Sequence, residues 1–268
     1  MRARVIVLLL PLAACALADD SAMSWSGAPK MMHGNTTVRM VSEKVIVKTP
    51  IDSDFQSSFD CNFVFHNDGP ATDIRIGFPD RANGAYTEDY FNTGSSDKPT
   101  FYELKNFKSW VDGKLVKTTL LVDKNSPDAN YAGSWHTKTV HFPANTTVNV
   151  RDTFTQRQSG GIGTTNNYIS MVRYVMSTGA SWKGNIGSAE VDVIIPGMKS
   201  AKPFPGKPDT ATAYTHWTDQ PKGTIFYTGF AAPTQDGNTL IFKRNDFKPT
   251  LDSDIYVVWQ AVEHTGGG

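Results

Sequence analysis

Apolar side chains in this chain recur at every second position, and that period decides the fold class. Phe59-x-Cys61-x-Phe63-x-Phe65 is the clearest run, and Ile74, Ile76 and Phe78 repeat it soon after. Successive side chains of a strand point to opposite faces, so runs of this kind bury one face of a sheet. Between the two runs stands Asn67-Asp68-Gly69-Pro70. Asn and Asp tolerate left-handed backbone, Gly supplies positive φ and Pro fixes the next φ, so the segment reads as a turn that closes an antiparallel hairpin. Val38 to Lys48 alternates too, but its phase changes near Ser42-Glu43, which predicts a bulge.

The same reading continues along the chain. Asp112-Gly113 separates two apolar runs and is the pair that a type I′ hairpin turn needs. Strands are expected over 134–142 and 146–156 around Pro143-Ala144-Asn145, and over 168–176, 189–195, 213–217, 224–230, 239–243 and 254–261, with Asp236-Gly237 as a further hairpin signal. No stretch of ten or more residues carries a 3.6-residue period. The expected fold is all-β, with two antiparallel β-sandwich, immunoglobulin-like domains in tandem or packed together. Residues 19–157 would form the first sandwich, with a long polar loop near 80–100. Residues 158–167 hold almost no apolar side chain and read as the linker, 168–264 as the second sandwich and 265–268 as a frayed tail.

The first 18 residues read as a secretory signal peptide. Arg2 and Arg4 precede a short apolar stretch, and Ala16-Leu17-Ala18 forms a small-x-small cleavage site before Asp19-Asp20. Leu12-Ala13-Ala14-Cys15 also fits the lipoprotein pattern, in which Cys15 becomes a lipidated first residue. Either route exports the protein to a periplasmic or extracellular location, and lipidation would tether it to a membrane. With Cys15 removed or modified, Cys61 has no cysteine partner. Its place on an apolar strand face predicts a buried, inert thiol. Loss of the leader leaves 24 basic residues against 26 acidic ones. That balance supplies no general field for nucleic acid or an anionic membrane.

Three segments carry a family likeness. Asp19-Asp20-Ser21-Ala22-Met23 leads to Val38-Arg39-Met40-Val41-Ser42-Glu43-Lys44-Val45. Cys61-x-Phe63-x-Phe65-x-Asn67-x-Gly69-Pro70 leads to Gly77-Phe78-Pro79. Tyr174-x-Met176-x-Thr178-Gly179-Ala180-x-Trp182-x-Gly184-x-Ile186-Gly187 precedes Asn245-Asp246-Phe247-x-Pro249. In that order they resemble a group of exported bacterial proteins of uncharacterised role, close to the family filed as domain of unknown function 4424. The resemblance covers most of the mature chain. It implies export and an all-β fold, and it implies no catalytic set.

Chemistry is sparse. His136 and His141 are five apart on an expected strand and so face opposite sides, which does not suit a zinc site needing convergent ligands. Asp52-x-Asp54 and Asp252-x-Asp254 lack the ligand spacing of an EF-hand and read as turn formers. No cofactor, metal site or catalytic residue is expected.

Two groups of residues remain as ligand-binding candidates. Trp182 with Gly179 and Gly184 could offer an exposed indole and glycine amides, or could be a loop pinned by its indole on the sandwich. Tyr86 and Tyr90, beside Glu88-Asp89 and Phe91 in the polar loop, form a neighbourhood suited to a sugar. The preferred function is a non-catalytic envelope or extracellular module that binds a glycan or an envelope protein. Two alternatives stand beside it. One is an envelope polysaccharide hydrolase using Glu88, Asp89 or Glu103 as acid or base. The other is a structural subunit of a surface assembly, joined through unpaired edge strands.

Overall fold

The computed structural model describes residues 21–22, 24–27, 30–31, 36–51, 56–82, 104–123, 133–162, 168–204 and 220–260. They form β1 (Ser21–Ala22), β2 (Ser24–Gly27), β3 (Lys30–Met31), β4 (Val38–Lys48), β5 (Gln56–Asn67), β6 (Thr72–Ala82), β7 (Leu104–Val111), β8 (Lys114–Val116), β9 (Thr119–Asp123), β10 (Gly133–Phe142), β11 (Thr147–Arg157), β12 (Ser159–Ile162), β13 (Tyr168–Val175), β14 (Ile186–Ile194), β15 (Ser200–Pro203), β16 (Thr224–Thr228), β17 (Thr234–Asp236), β18 (Thr239–Phe247) and β19 (Ile255–Gln260), with short 3₁₀ turns at Ser177–Ser181 and Leu251–Ser253. The protein is all-β, as the two-residue period requires.

Two sheets face each other. One runs β15-β16-β19-β13-β2-β6-β10-β9, with β12 and β1 added at β13 and β3 at β6; the other runs β17-β18-β14-β4-β5-β11-β7-β8. Most pairings are antiparallel. Three are parallel: β2 with β13, β4 with β14, and β15 with β16. The first two join strands from the two ends of the chain, so each sheet contains strands from both sides of residue 160. The apolar core is likewise continuous from Val38 to Trp259. The segment 158–167 contains β12, which pairs with β13. Residues 213–217 and 265–268 lie outside the described residues.

The alternation read from the sequence is what fills the core. Phe59, Cys61, Phe63 and Phe65 all point inward and are buried. Each of the three Phe side chains contributes about 1.5–3 kcal/mol of transfer free energy. The expected bulge is present: the register of β4 on β5 shifts between Met40 and Ser42. Without the extra residue Val41, the even-numbered positions would continue inward. With it, Glu43, Val45 and Val47 take the core face, and Glu43 becomes a buried acid.

One end of the sandwich is closed by tight turns. Asn67, fully buried, donates through Nδ2 to the carbonyls of Pro70, Phe142 and Pro143. Its Oδ1 accepts from Thr37 Oγ1 and from the Gly69 amide. Asp112 and Gly113 both have positive φ, as a type I′ turn demands.

Candidate functional site

The opposite end of the sandwich carries two long connections, 83–103 and 124–132. β6 ends at Ala82 and β7 starts at Leu104; β9 ends at Asp123 and β10 starts at Gly133. Ser134 pairs with Asp80, and Gly133 with Asp123, so these strand ends lie together. Asp80 is the hub. Its fully buried carboxylate accepts from the Leu104 amide at 3.3 Å and pairs with His136 Nε2 at 3.0 Å. A carboxylate only accepts, so it selects the imidazole tautomer with hydrogen on Nε2. The ring stacks on Phe107 at 4.2 Å, nearly parallel, and keeps 14% of its side chain exposed. Tyr86, Glu88, Asp89, Tyr90 and Glu103 belong to the connection that starts here and lie outside the described residues, as does Cys15.

Beneath this end, hydroxyl and amide groups join the ends of β4, β5 and β11 within one sheet. Ser57 Oγ donates to Thr49 Oγ1 at 2.8 Å, and Gln158 Nε2 donates to Thr49 Oγ1 and to the Pro50 carbonyl. Deeper still is a layer of ionisable side chains, of which the sequence reading singled out only Cys61 as buried. Tyr174 donates its hydroxyl to Glu43 Oε1 at 2.5 Å, and Lys138 Nζ meets Asp152 Oδ1 at 2.6 Å. Cys61 is the cross-strand partner of Asp152. Burial pushes Glu43 up to about 7, against the opposing effect of its Tyr174 hydrogen bond. Burial also raises the Cys61 thiol, and the charges of Asp152 and Glu43 raise it further. The signal was present in the pattern: Lys138 is in phase with Val140 and Phe142, and Asp152 with Val150 and Phe154.

The Trp182 loop lies away from the connection-bearing end. Its indole is buried between Phe65, at 4.5 Å between ring centroids, and Phe142, at 6.3 Å. The ring is spent on packing and offers no open face. The Gly179 amide donates to the Met176 carbonyl. Gly184 sits exposed at positive φ, and its carbonyl accepts from Lys248 Nζ. The loop is therefore pinned by its indole.

Trp135 and Trp259 are also buried, whereas Trp110 is half-buried under the Arg151 guanidinium. His136 and His141 do face opposite sides, His141 pairing with Asp73 on the exposed one. Asp254 is buried and engaged by Arg173 and by the amides of Met176 and Ser177. Among the described residues, no group of three or more His, Cys, Asp or Glu is placed to hold a metal ion. No helix among them is long and apolar enough to cross a membrane.

No protein-family model matches the sequence, and no curated protein matches it. Among solved structures, the chain is similar to a candidate nutrient binding protein from Legionella pneumophila subsp. pneumophila str. Philadelphia 1. That likeness has 18% identity and a TM-score of 0.58, over 89% of this chain and 70% of that one. An M1 zinc metallopeptidase from Deinococcus radiodurans matches over 83% of this chain and 42% of that one, with 8% identity and a TM-score of 0.38. The first likeness shows a shared β-rich fold. The second is too distant to carry an argument.

Proposed function

We propose that the protein is an exported, non-catalytic binding module of the bacterial envelope or extracellular space, with its contact surface at the end of the sandwich marked by Asp80 and His136. One observation carries this reading. The connections 83–103 and 124–132 leave and re-enter at one end of the sandwich, opposite the tight turns at Asn67 and Asp112-Gly113. Binding residues concentrate on loops held by a rigid scaffold. The first of these connections supplies Tyr86, Tyr90 and Phe91 beside Glu88 and Asp89, a mix of aromatic faces and acceptors suited to a glycan or a protein partner. The Legionella neighbour, described as a candidate nutrient binder, is compatible with a binding role. The leader 1–18 supplies the export signal, with Asp19 as the mature N-terminus or, in the tethered alternative, an acylated Cys15.

The test uses residues 19–268 on an array of envelope glycans, followed by calorimetry on any hit. A retained glycan, with affinity reduced at least about tenfold in Tyr86→Ala or Tyr90→Ala at unchanged melting temperature, is the expected result. Retention of nothing, or affinity indifferent to both substitutions, overturns it. Mass analysis of the secreted N-terminus separates a free Asp19 start from a lipidated Cys15.

A further inference from the structure

We propose that Lys138 and Asp152 condense into an intramolecular amide that ties the two sheets together across the core. β10 and β11 follow one another in the chain but belong to opposite sheets, so the bond would span the sandwich. Both side chains point inward, with 3% and 0% of their surface exposed, and Nζ lies 2.6 Å from Oδ1. The other carboxylate oxygen, Oδ2, is buried with no hydrogen-bond partner among the described residues.

Three physical arguments converge on the reaction. Burying an ion pair is expensive, because desolvation competes with the Coulombic gain, and a partnerless carboxylate oxygen adds to that cost. An amide removes both charges and the orphaned oxygen at once. The folded sheets also hold nucleophile and electrophile in contact, so the entropy of bringing them together is spent by folding rather than by the reaction. Finally, the site is dry, which favours loss of water and protects the product from hydrolysis.

The step balances without an oxidant or co-reactant. A proton passes from the Lys138 ammonium to the Asp152 carboxylate, giving amine and acid. The Nζ lone pair attacks Cγ, and the N–C bond forms as the bond from Cγ to Oδ2 breaks. That oxygen leaves as water with two of the three ammonium hydrogens. Ammonium plus carboxylate thus becomes secondary amide plus water, neutral on both sides. The other ionisable groups of the layer are Glu43, Tyr174 and Cys61, and burial favours the uncharged form of each. Condensation therefore leaves the layer without charge.

Intact mass and a tryptic map of the folded, leader-free protein test the proposal. The expected protein is lighter than its sequence by one water. A branched peptide joins the Lys138 segment to the Asp152 segment, and trypsin no longer cuts after Lys138. Lys138→Arg and Asp152→Ala restore the full sequence mass, while Asp152→Asn still links, with loss of ammonia in place of water. The wild-type measurement stands even if a variant fails to fold. A full sequence mass with trypsin cutting after Lys138, or a water loss that maps to another residue or persists in Lys138→Arg, overturns the proposal.

Discussion

The carbonyl oxygen of Val41 lies 2.5 Å from the position that a Cβ on Gly187 would occupy. Val41 is the bulged residue of β4, and Gly187 belongs to the neighbouring strand β14. The bulge turns Glu43 inward, and only a residue without a side chain fits beside it. Gly187→Ala must displace backbone rather than a flexible side chain, so it is expected to destabilise by about 1–3 kcal/mol. Gly113→Ala meets nothing within 4 Å and carries only the penalty of its positive φ, about 1 kcal/mol. Urea midpoints of the two variants check the ranking.

Glu43 makes stability depend on pH. Its folded value of about 7 lies above the ordinary 4.5, so the folded state binds more protons between those values. Its contribution is complete below about pH 4.5 and is lost as pH rises through about 7. The loss is on the order of 3 kcal/mol, at roughly 1.4 kcal/mol per pH unit. Unfolding free energies measured from pH 5 to 8 are expected to fall with pH in the wild type and to lose most of that slope in Glu43→Gln. Equal slopes in the two proteins would refute the assignment.

Asn67 closes the tight-turn end with five hydrogen bonds from one side chain. Asn67→Ala strands three carbonyls, and Asn67→Asp sets a carboxylate against them. A loss of about 2–4 kcal/mol is expected for the alanine variant, and at least as much for the aspartate. Thermal melts of both, at a pH where Asp is ionised, provide the comparison.

Trp182→Ala separates packing from binding. Removing an indole held between Phe65 and Phe142 is expected to lower stability by about 3–5 kcal/mol. Any glycan affinity carried by the other end of the sandwich should survive at temperatures where the variant remains folded. Calorimetry on that variant, run beside Tyr86→Ala, distinguishes the two ends.

A fragment ending at residue 157 leaves β4 without its neighbour β14 and strips the core of Tyr174, Trp182, Val191 and Trp259. It is expected to show no cooperative thermal transition. A sharp melt close to that of the full chain would count against the shared core.

Local features were legible because their causes are local. The change of phase at Ser42-Glu43 marked the bulge, and Asp112-Gly113 marked a type I′ hairpin. The five-residue spacing of His136 and His141 put them on opposite faces. What crosses the chain was not legible. The pairing of Ser42–Lys48 with Ser188–Ile194 is parallel and has no connecting turn to announce it. The buried layer stayed hidden for a different reason. Lys138, Asp152 and Glu43 each sit in phase with apolar neighbours, yet a charged residue at such a position reads as a surface one until its partner from the other sheet is known. The Trp182 loop could be read either way, since three glycines around an indole suit a pinned loop and an open platform alike.

The parallel seam between β4 and β14 also sets the order of events during synthesis. Lys44 and the Glu190 that it meets across the seam are 146 residues apart, so the edge of β4 stays bare through most of the chain's emergence. A polypeptide that must wait this long for its covering strand is open to proteases and to wrong neighbours. Its yield in a host therefore depends on what shelters the first half until the second arrives, as well as on the stability of the finished molecule.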